Sequence, residues 1–226
     1  MKNKALQNQI FLAVGIVASI IVGVGEWMLH YVPGGPTGEN SMLDLVPLER
    51  ASTGHFLAVF AVPFYFAGYY ALMRIFEKGS PLFSRALCAG GILSFSMGAI
   101  WIGSRYFAAE VFQRSAGTAD HEFFLHSYEV HLNPVVWALR ILILGVSVTY
   151  VACVLKNRIG MPKWLAVFNP ITLLIFNFSL LFWAKPIGAH ITPIAMNATH
   201  LIFFGIVFVY YRRYTKSVPA EIGSMS

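Results

Sequence analysis

Three ionisable side chains lie within long apolar stretches of the sequence, and their types define the chemistry that this chain could perform. Glu26 ends one apolar stretch, Arg140 lies inside another, and His200 lies near the start of a third. A carboxylate can act as a base or a charge partner, a guanidinium can bind an anion, and an imidazole can donate a proton or bind a ligand. Ionisable groups within membrane segments are rare and usually line a cavity. We therefore predict that these three candidate catalytic residues converge on one site.

The composition indicates that the apolar stretches are membrane helices. The chain has 226 residues, of which 57% are hydrophobic and 12% are charged. Soluble domains carry about 25% charged residues, so this chain has too little polar surface to cover a water-soluble globule. Six apolar stretches have the length of about 20 residues that a helix needs to cross a bilayer. They are residues 10–29, 56–76, 86–107, 135–155, 164–183 and 191–211. The sequence predicts one all-α domain, residues 1–226, forming a bundle of six transmembrane helices.

The basic residues predict the orientation of this bundle. If the chain crosses the membrane six times, eleven basic residues fall on the side of the two termini. These are Lys2, Lys4, Arg74, Lys78, Arg85, Lys156, Arg158, Lys163, Arg212, Arg213 and Lys216. The opposite side has Arg50, Arg114 and Lys185, with Arg105 near its edge. The positive-inside rule then places both termini in the cytoplasm and the protein in the inner membrane of a cell. Because the net charge of +6 follows this topology, we expect no nucleic-acid partner.

Helix geometry places the polar residues of the apolar stretches in one layer. A helix rises about 1.5 Å per residue, so His200, twelve positions before Arg212, lies about 18 Å from the cytoplasmic boundary of a core about 30 Å thick. By the same count, Glu26 and Arg140 lie about 24 Å and Asn177 about 20 Å from that boundary. A lone charge in hydrocarbon is costly. We therefore predict that Glu26 and Arg140 pair, directly or through water.

A second set of titratable residues lies at the outer ends of the predicted helices. The set comprises His30, His55, Arg105, Glu110, His131, Lys185 and His190. Charged and amphipathic residues at this depth are ordinary neighbours of lipid headgroups, so a structural role is the simpler interpretation for each of them. Five residues are nevertheless candidates for ligand binding around the deeper three. They are His55, Arg105, Asn177, His131 and Lys185.

Other chemistries lack a sequence signature. His55, His131 and His200 have the residue type of zinc ligands, but no HxxxH or HExxH spacing occurs, and we predict no metal site. A membrane haem would need two deep, facing histidines, and no GxSxG nucleophile motif is present. Cys88 and Cys153 are predicted to lie near the reducing cytoplasmic face, so we expect no structural disulfide. The sequence leaves open whether the protein is an enzyme and whether it holds a cofactor.

Two quoted stretches in the first third of the chain carry a distinctive pattern. GEWMLHY, beginning at Gly25, ends the first predicted helix, and GHFLAVFAVPFYFAGYYAL, beginning at Gly54, leads into the second. Together they resemble an uncharacterised family of bacterial membrane proteins with six helices. That family has a Gly-acidic-x-x-Leu motif, followed by a helix with Gly-His and Pro-x-Tyr-x-x-Gly elements. The resemblance implies that Glu26 and His55 occupy motif positions, with Glu where the family has Asp. It implies no known activity.

The polarity of the bundle suggests a function. The outer half of the predicted bundle is polar and the inner half is almost wholly apolar, which favours a pocket open to one side. We predict that this pocket binds or modifies a lipid-like or small amphiphilic ligand. Glu26 would serve as a base or charge partner, Arg140 would bind or pair with an anion, and His200 would donate a proton or bind the ligand. One alternative is a small solute or ion transporter. Another is a non-catalytic subunit of a membrane complex. The expected partners are membrane lipid and either a second copy of this chain or a membrane partner subunit.

Overall fold

The computed structural model describes residues 2–34, 40–158 and 160–217, and these residues form helices and turns without β-strands. The helices are α1 (Lys2–His30), α2 (Leu48–Ala61), α3 (Tyr65–Phe76), α4 (Pro81–Ser115), α5 (His121–Leu155), α6 (Pro170–Trp183), α7 (Lys185–Ile191) and α8 (Ala195–Ser217). Short 3₁₀ segments lie at Asn40–Asp44, Val62–Phe64, Lys163–Phe168 and Thr192–Ile194. The all-α prediction is confirmed for this part of the chain.

Five helical segments are long and apolar enough to cross a membrane. They are α1, the α2–α3 pair, α4, α5 and the α7–α8 pair, which together indicate a membrane protein. The predicted span 164–183 differs, because α6 has 14 residues, or about 21 Å of helix. Pro170 lies inside the predicted span and begins α6. Proline is well placed there because the first helical N–H has no partner within the helix, and the Asn169 side chain accepts the Thr172 N–H at 3.1 Å.

Residues 110–134, which lie between the predicted spans 86–107 and 135–155, are mostly helical. α4 continues to Ser115 and α5 begins at His121, so only a short turn joins them. Gly117 has a positive φ of 78° in this turn, a conformation that glycine adopts without strain. The rings of Phe112 and Tyr128 pack edge to face at 5.6 Å and hold the two extensions together. The helices are longer than the predicted spans because an apolar sequence run ends at the membrane boundary, whereas a helix can continue into water. Part of the first predicted outer loop, residues 35–39, lies outside the described residues.

Helix α1 packs against α2, α3 and α8. Its closest approach is to α2, where Gly25 and Gly54 face each other. A Cβ atom added to Gly25 would lie 2.6 Å from the Gly54 carbonyl oxygen. Small residues at such crossings allow the backbones to approach, as is usual between membrane helices.

Two prolines interrupt the membrane segments beside the site. Pro63 lies in the 3₁₀ segment between α2 and α3, and Pro193 lies in the one between α7 and α8. Proline removes a backbone donor and disfavours a continuous helix. Tyr65 and Tyr69 follow the first interruption at i and i+4, so both side chains lie on one face of α3. Both are fully buried.

Candidate functional site

A cavity of about 340 Å³ lies between α1, α4, α5, α6 and the segment that leads into α8. We call it the intramembrane cavity. Most of its wall is apolar. Its polar and aromatic-polar lining residues are Glu26, Ser94, Trp101, Arg140, Thr192 and Asn197. Two of the three predicted catalytic residues therefore reach one cavity, although they come from distant parts of the sequence.

Glu26 is held by hydrogen bonds that join three helices. It is 6% exposed, and the side-chain amide of Asn197 on α8 donates to its carboxyl group. The Tyr65 hydroxyl on α3 donates to Oδ1 of Asn197 at 2.6 Å. Buried polar groups in a membrane need such partners because no water satisfies them. Asn197 thus fixes the position of the carboxyl group on the cavity wall.

His200 lies beside the cavity and does not line it. The side chain is fully buried, and Phe95, which lines the cavity, separates the two regions with its ring 4.7 Å from the imidazole. The Nδ1 atom lies 2.8 Å from the Met196 carbonyl oxygen, and Nε2 lies 2.7 Å from the Tyr69 hydroxyl. Since a carbonyl only accepts, Nδ1 carries a hydrogen, and a neutral imidazole then accepts the Tyr69 hydroxyl at Nε2. Glu26 and Arg140 therefore both line the cavity. His200 lies behind one aromatic ring, so the predicted convergence of all three residues on one site is not observed.

Arg140 lies at the surface where α5 borders the cavity. Its side chain is exposed, and its guanidinium lies 5.0 Å from the centre of the Trp137 ring. Within the described residues it forms no ion pair with Glu26, so the predicted direct pairing is not observed. The carboxyl group instead faces Asn197, because α1 packs against α8 while Arg140 approaches from the opposite wall.

Arg105 is the buried cation nearest to Glu26, a role that the sequence could not distinguish from that of Arg140. It is 4% exposed and interacts electrostatically with Glu26. Its Nε donates to His30 Nε2 at 2.9 Å. Its guanidinium lies over the ring of Trp101 at 5.0 Å. Because Trp101 lines the cavity, Arg105 lies directly behind that wall.

The other predicted ligand-binding residues lie elsewhere. Asn177 is buried and donates to Thr199 Oγ1 at 3.0 Å, which joins α6 to α8. His55 is buried between α2 and α4, with its ring 5.8 Å from that of Tyr106. His131 and Lys185 are exposed. None of these four lines the intramembrane cavity.

Acidic, histidine and cysteine side chains do not cluster as metal ligands do. Within the described part of the chain, no group of three or more His, Cys, Asp or Glu residues could hold a metal ion. Cys88 and Cys153 are both buried and free. The chemistry that this arrangement offers is that of a carboxyl group and a guanidinium on an otherwise apolar wall.

Comparison with known proteins places the chain in a family. A family model described as "Family of unknown function (DUF6796)" matches residues 1–214. The chain belongs to the DUF6796 family. This match fits the expectation of an uncharacterised family, and it covers nearly the whole sequence. No curated protein and no solved structure matches the chain.

In this DUF6796 protein, three residues that hold the site were missed by sequence reasoning. They are Asn197, which hydrogen-bonds to Glu26, Tyr65, which hydrogen-bonds to Asn197, and Tyr69, which hydrogen-bonds to His200. One signal was present in the sequence, since the two tyrosines follow a proline break at i and i+4 spacing, which places both hydroxyls on one face. Asn197, like Asn177, is an amide within a predicted span, and this is the signal that could have identified it.

Proposed function

We propose that this DUF6796 protein is a multi-pass membrane protein that binds or modifies a lipid-like or small amphiphilic ligand in the intramembrane cavity. The supporting observation is the cavity wall itself, which is mainly apolar and carries Glu26 and Arg140. Ligand pockets typically combine an apolar lining with a few polar groups that orient the ligand. An amphiphile has both kinds of surface and matches this wall.

Access to the cavity supports a ligand that comes from the bilayer. Arg140 and Phe178 both line the cavity and are exposed at the surface, on α5 and α6 respectively. Leu144 and Ile175 on the same two helices are 54% and 65% exposed. Exposed apolar side chains at this depth face lipid, so the opening between α5 and α6 leads sideways into the membrane.

A small solute carrier is the second candidate, because carriers use helices that are interrupted beside a polar site. Pro63 and Pro193 interrupt two helices here. The inner half of the bundle argues against it. His200 and Tyr211 lie eleven positions apart on α8, or about 16 Å, and the fully buried Phe203 lies between them in the sequence. Within the described residues, an apolar core in the inner half leaves no polar path to the cytoplasmic face, which favours a one-sided cavity over a carrier.

The orientation and location of the protein form part of the same proposal. We infer six crossings, with the 3₁₀ segment Lys163–Phe168 and α6 together forming the short fifth one. Eleven basic residues then lie on the side of both termini, which supports cytoplasmic termini and the inner membrane of a bacterial cell. Labelling of single cysteines at Lys78 and Arg114, in cells, with a reagent that does not cross membranes tests this. Only the second position should react.

A cavity-filling variant tests the ligand hypothesis directly. Gly98 lines the cavity, and a Cβ atom added there meets no atom within 4 Å. Gly98→Phe should therefore place its ring in the cavity. Gly103 lies on the same helix, also has nothing within 4 Å of an added Cβ, and does not line the cavity. Gly103→Phe is therefore the matched control.

The measurement is native mass spectrometry of protein purified in mild detergent, followed by extraction of bound amphiphiles. We expect the wild type and Gly103→Phe to retain the same bound species and Gly98→Phe to lose it. Equal retention by all three proteins, or absence of any bound amphiphile from the wild type, would contradict the proposed function.

A further inference from the structure

We propose that the ligand of the intramembrane cavity is an anionic amphiphile, whose acidic headgroup binds Arg140 at the opening between α5 and α6. Its apolar part would extend into the cavity. This inference rests on the proposed function, since it specifies the ligand class for the same site. It adds that the headgroup carries a negative charge and that one guanidinium recognises it.

The charges around the cavity leave one cation available to a ligand. Glu26 accepts a hydrogen bond from Asn197 and interacts with the buried Arg105. Arg140 also lines the cavity, but within the described residues no carboxylate lies within ion-pair distance of it, and its guanidinium lies over the Trp137 ring. Two guanidinium groups stand against one carboxyl group, so the net charge around the cavity is positive. An acidic headgroup compensates that charge, whereas a cationic one would add to it.

The depth of Arg140 matches the position of a headgroup. It lies sixteen positions before Lys156, which follows the last residue of α5, and this corresponds to about 24 Å of helix. In a hydrocarbon core about 30 Å thick, the guanidinium lies within reach of the opposite interface. Phosphate and carboxylate groups of amphiphiles lie at this interface. A guanidinium binds such groups through two parallel hydrogen bonds.

The position of Glu26 disfavours recognition of a cation. Glu26 is 6% exposed and its carboxyl group accepts a hydrogen bond from Asn197, so an ammonium group would have to lose its water inside the bundle to reach it. Arg140 is exposed at the opening, and an acidic headgroup reaches it without that loss. The cavity volume of about 340 Å³ is at the small end of ligand pockets, which span roughly 300–1,000 Å³. One alkyl chain fits this volume better than a whole lipid with two chains.

The test uses three probes that share a sixteen-carbon chain and differ in headgroup charge. These are palmitate, hexadecanol and hexadecyltrimethylammonium. Equilibrium binding of each radiolabelled probe is measured with the full-length protein, delipidated in a neutral detergent. We expect the wild type to bind palmitate at least about tenfold more tightly than the other two, because a charge-assisted hydrogen bond adds this much.

Variants assign the preference to one residue. Arg140→Gln should weaken palmitate binding by about 10- to 100-fold and leave hexadecanol binding unchanged. Arg140→Lys should retain part of the preference because it keeps the charge. Arg114→Gln is the matched control, since Arg114 is exposed, pairs with Glu110 at 2.8 Å and lies outside the cavity.

The outcomes separate this inference from the proposed function. If Gly98→Phe abolishes binding of all three probes but the wild type binds them equally or prefers the cation, the cavity binds amphiphiles and the anionic assignment is wrong. The same conclusion follows if Arg140→Gln binds palmitate like the wild type. If Gly98→Phe leaves all binding unchanged, the proposed function itself is wrong.

A competition experiment identifies the source of the acidic headgroup. Palmitate binding is repeated in nanodiscs of phosphatidylcholine, with and without phosphatidylglycerol. Competition by phosphatidylglycerol assigns the site to the headgroup and one chain of an anionic membrane lipid. Binding that is insensitive to phosphatidylglycerol assigns it to a free anionic amphiphile.

Discussion

The Tyr69 hydroxyl lies 2.7 Å from Nε2 of His200, inside a fully buried cluster of aromatic rings. The other imidazole nitrogen faces the Met196 carbonyl oxygen at 2.8 Å. Both nitrogens of His200 are thus satisfied within the protein, and Phe95 separates the ring from the intramembrane cavity. This arrangement gives the histidine within the apolar part of α8 a structural role beside the candidate ligand site.

Removal of the Tyr69 hydroxyl should destabilise the protein without changing ligand binding. Tyr69→Phe leaves Nε2 of His200 without a donor, and an unsatisfied buried polar atom costs about 1–3 kcal/mol. The neighbouring Tyr70 is 43% exposed, so Tyr70→Phe should change stability by less than about 0.5 kcal/mol. Unfolding in mixed micelles measures both. Equal stability of the two variants, or loss of probe binding in Tyr69→Phe alone, would contradict the structural role of His200.

The contributions of Tyr65 and Asn197 to stability should be coupled. The Tyr65 hydroxyl donates to Asn197, which donates to Glu26, so Tyr65→Phe removes this particular hydrogen bond only when Asn197 is present. A double-mutant cycle of Tyr65→Phe and Asn197→Ala should give a coupling of about 0.5–2 kcal/mol, the range found between membrane helices. Additive losses of stability would show that the two side chains do not interact.

The two arginines near the cavity should differ in their contribution to stability. Arg105 is buried and bonds to His30, so Arg105→Gln should lower the free energy of unfolding by about 1–3 kcal/mol. Arg140 is exposed, and Arg140→Gln should cost less than about 0.5 kcal/mol. The reciprocal exchange Glu26→Arg with Arg140→Glu should regain no stability relative to the single variants, since the two residues form no ion pair. If the exchange did regain stability, that result would support the Glu26–Arg140 pairing predicted from the sequence.

The crossing of α1 and α2 should tolerate no side chain at Gly25. A Cβ atom there would lie 2.6 Å from the Gly54 carbonyl oxygen and 2.8 Å from the Ala58 Cβ. Gly25→Ala should therefore force the helices apart and cost about 1–3 kcal/mol. Gly103→Ala is the control, because nothing lies within 4 Å of its added Cβ and alanine is the better helix former. Circular dichroism during thermal unfolding compares the two, and a Gly25→Ala variant as stable as the control would argue against this close approach.

Some of the site followed from the sequence through simple physical rules. Glu26 and Arg140 were predicted to share a depth because helix rise converts sequence position into distance along the membrane normal. They do reach one cavity. Depth alone does not specify the direction in which a side chain points, and small rotations about a helix axis decide whether a residue faces the cavity, a neighbouring helix or lipid. For this reason His131, Lys185 and Asn177 were retained as ligand-binding candidates although none of them lines the cavity.

The sequence by itself determined the helical character of this protein and its apolar segments, because hydrocarbon admits a spanning chain only when the backbone bonds to itself. The ends of α4, α5 and α6 were decided by packing and by proline. Only the tertiary structure decided that Arg105 acts electrostatically on Glu26. The same holds for the hydrogen bond that Asn197 donates to Glu26. Those partners come from helices that are far apart in the chain. Which helices pack together depends on the close fit of residues such as Gly25 and Gly54, and no local sequence pattern encodes that fit.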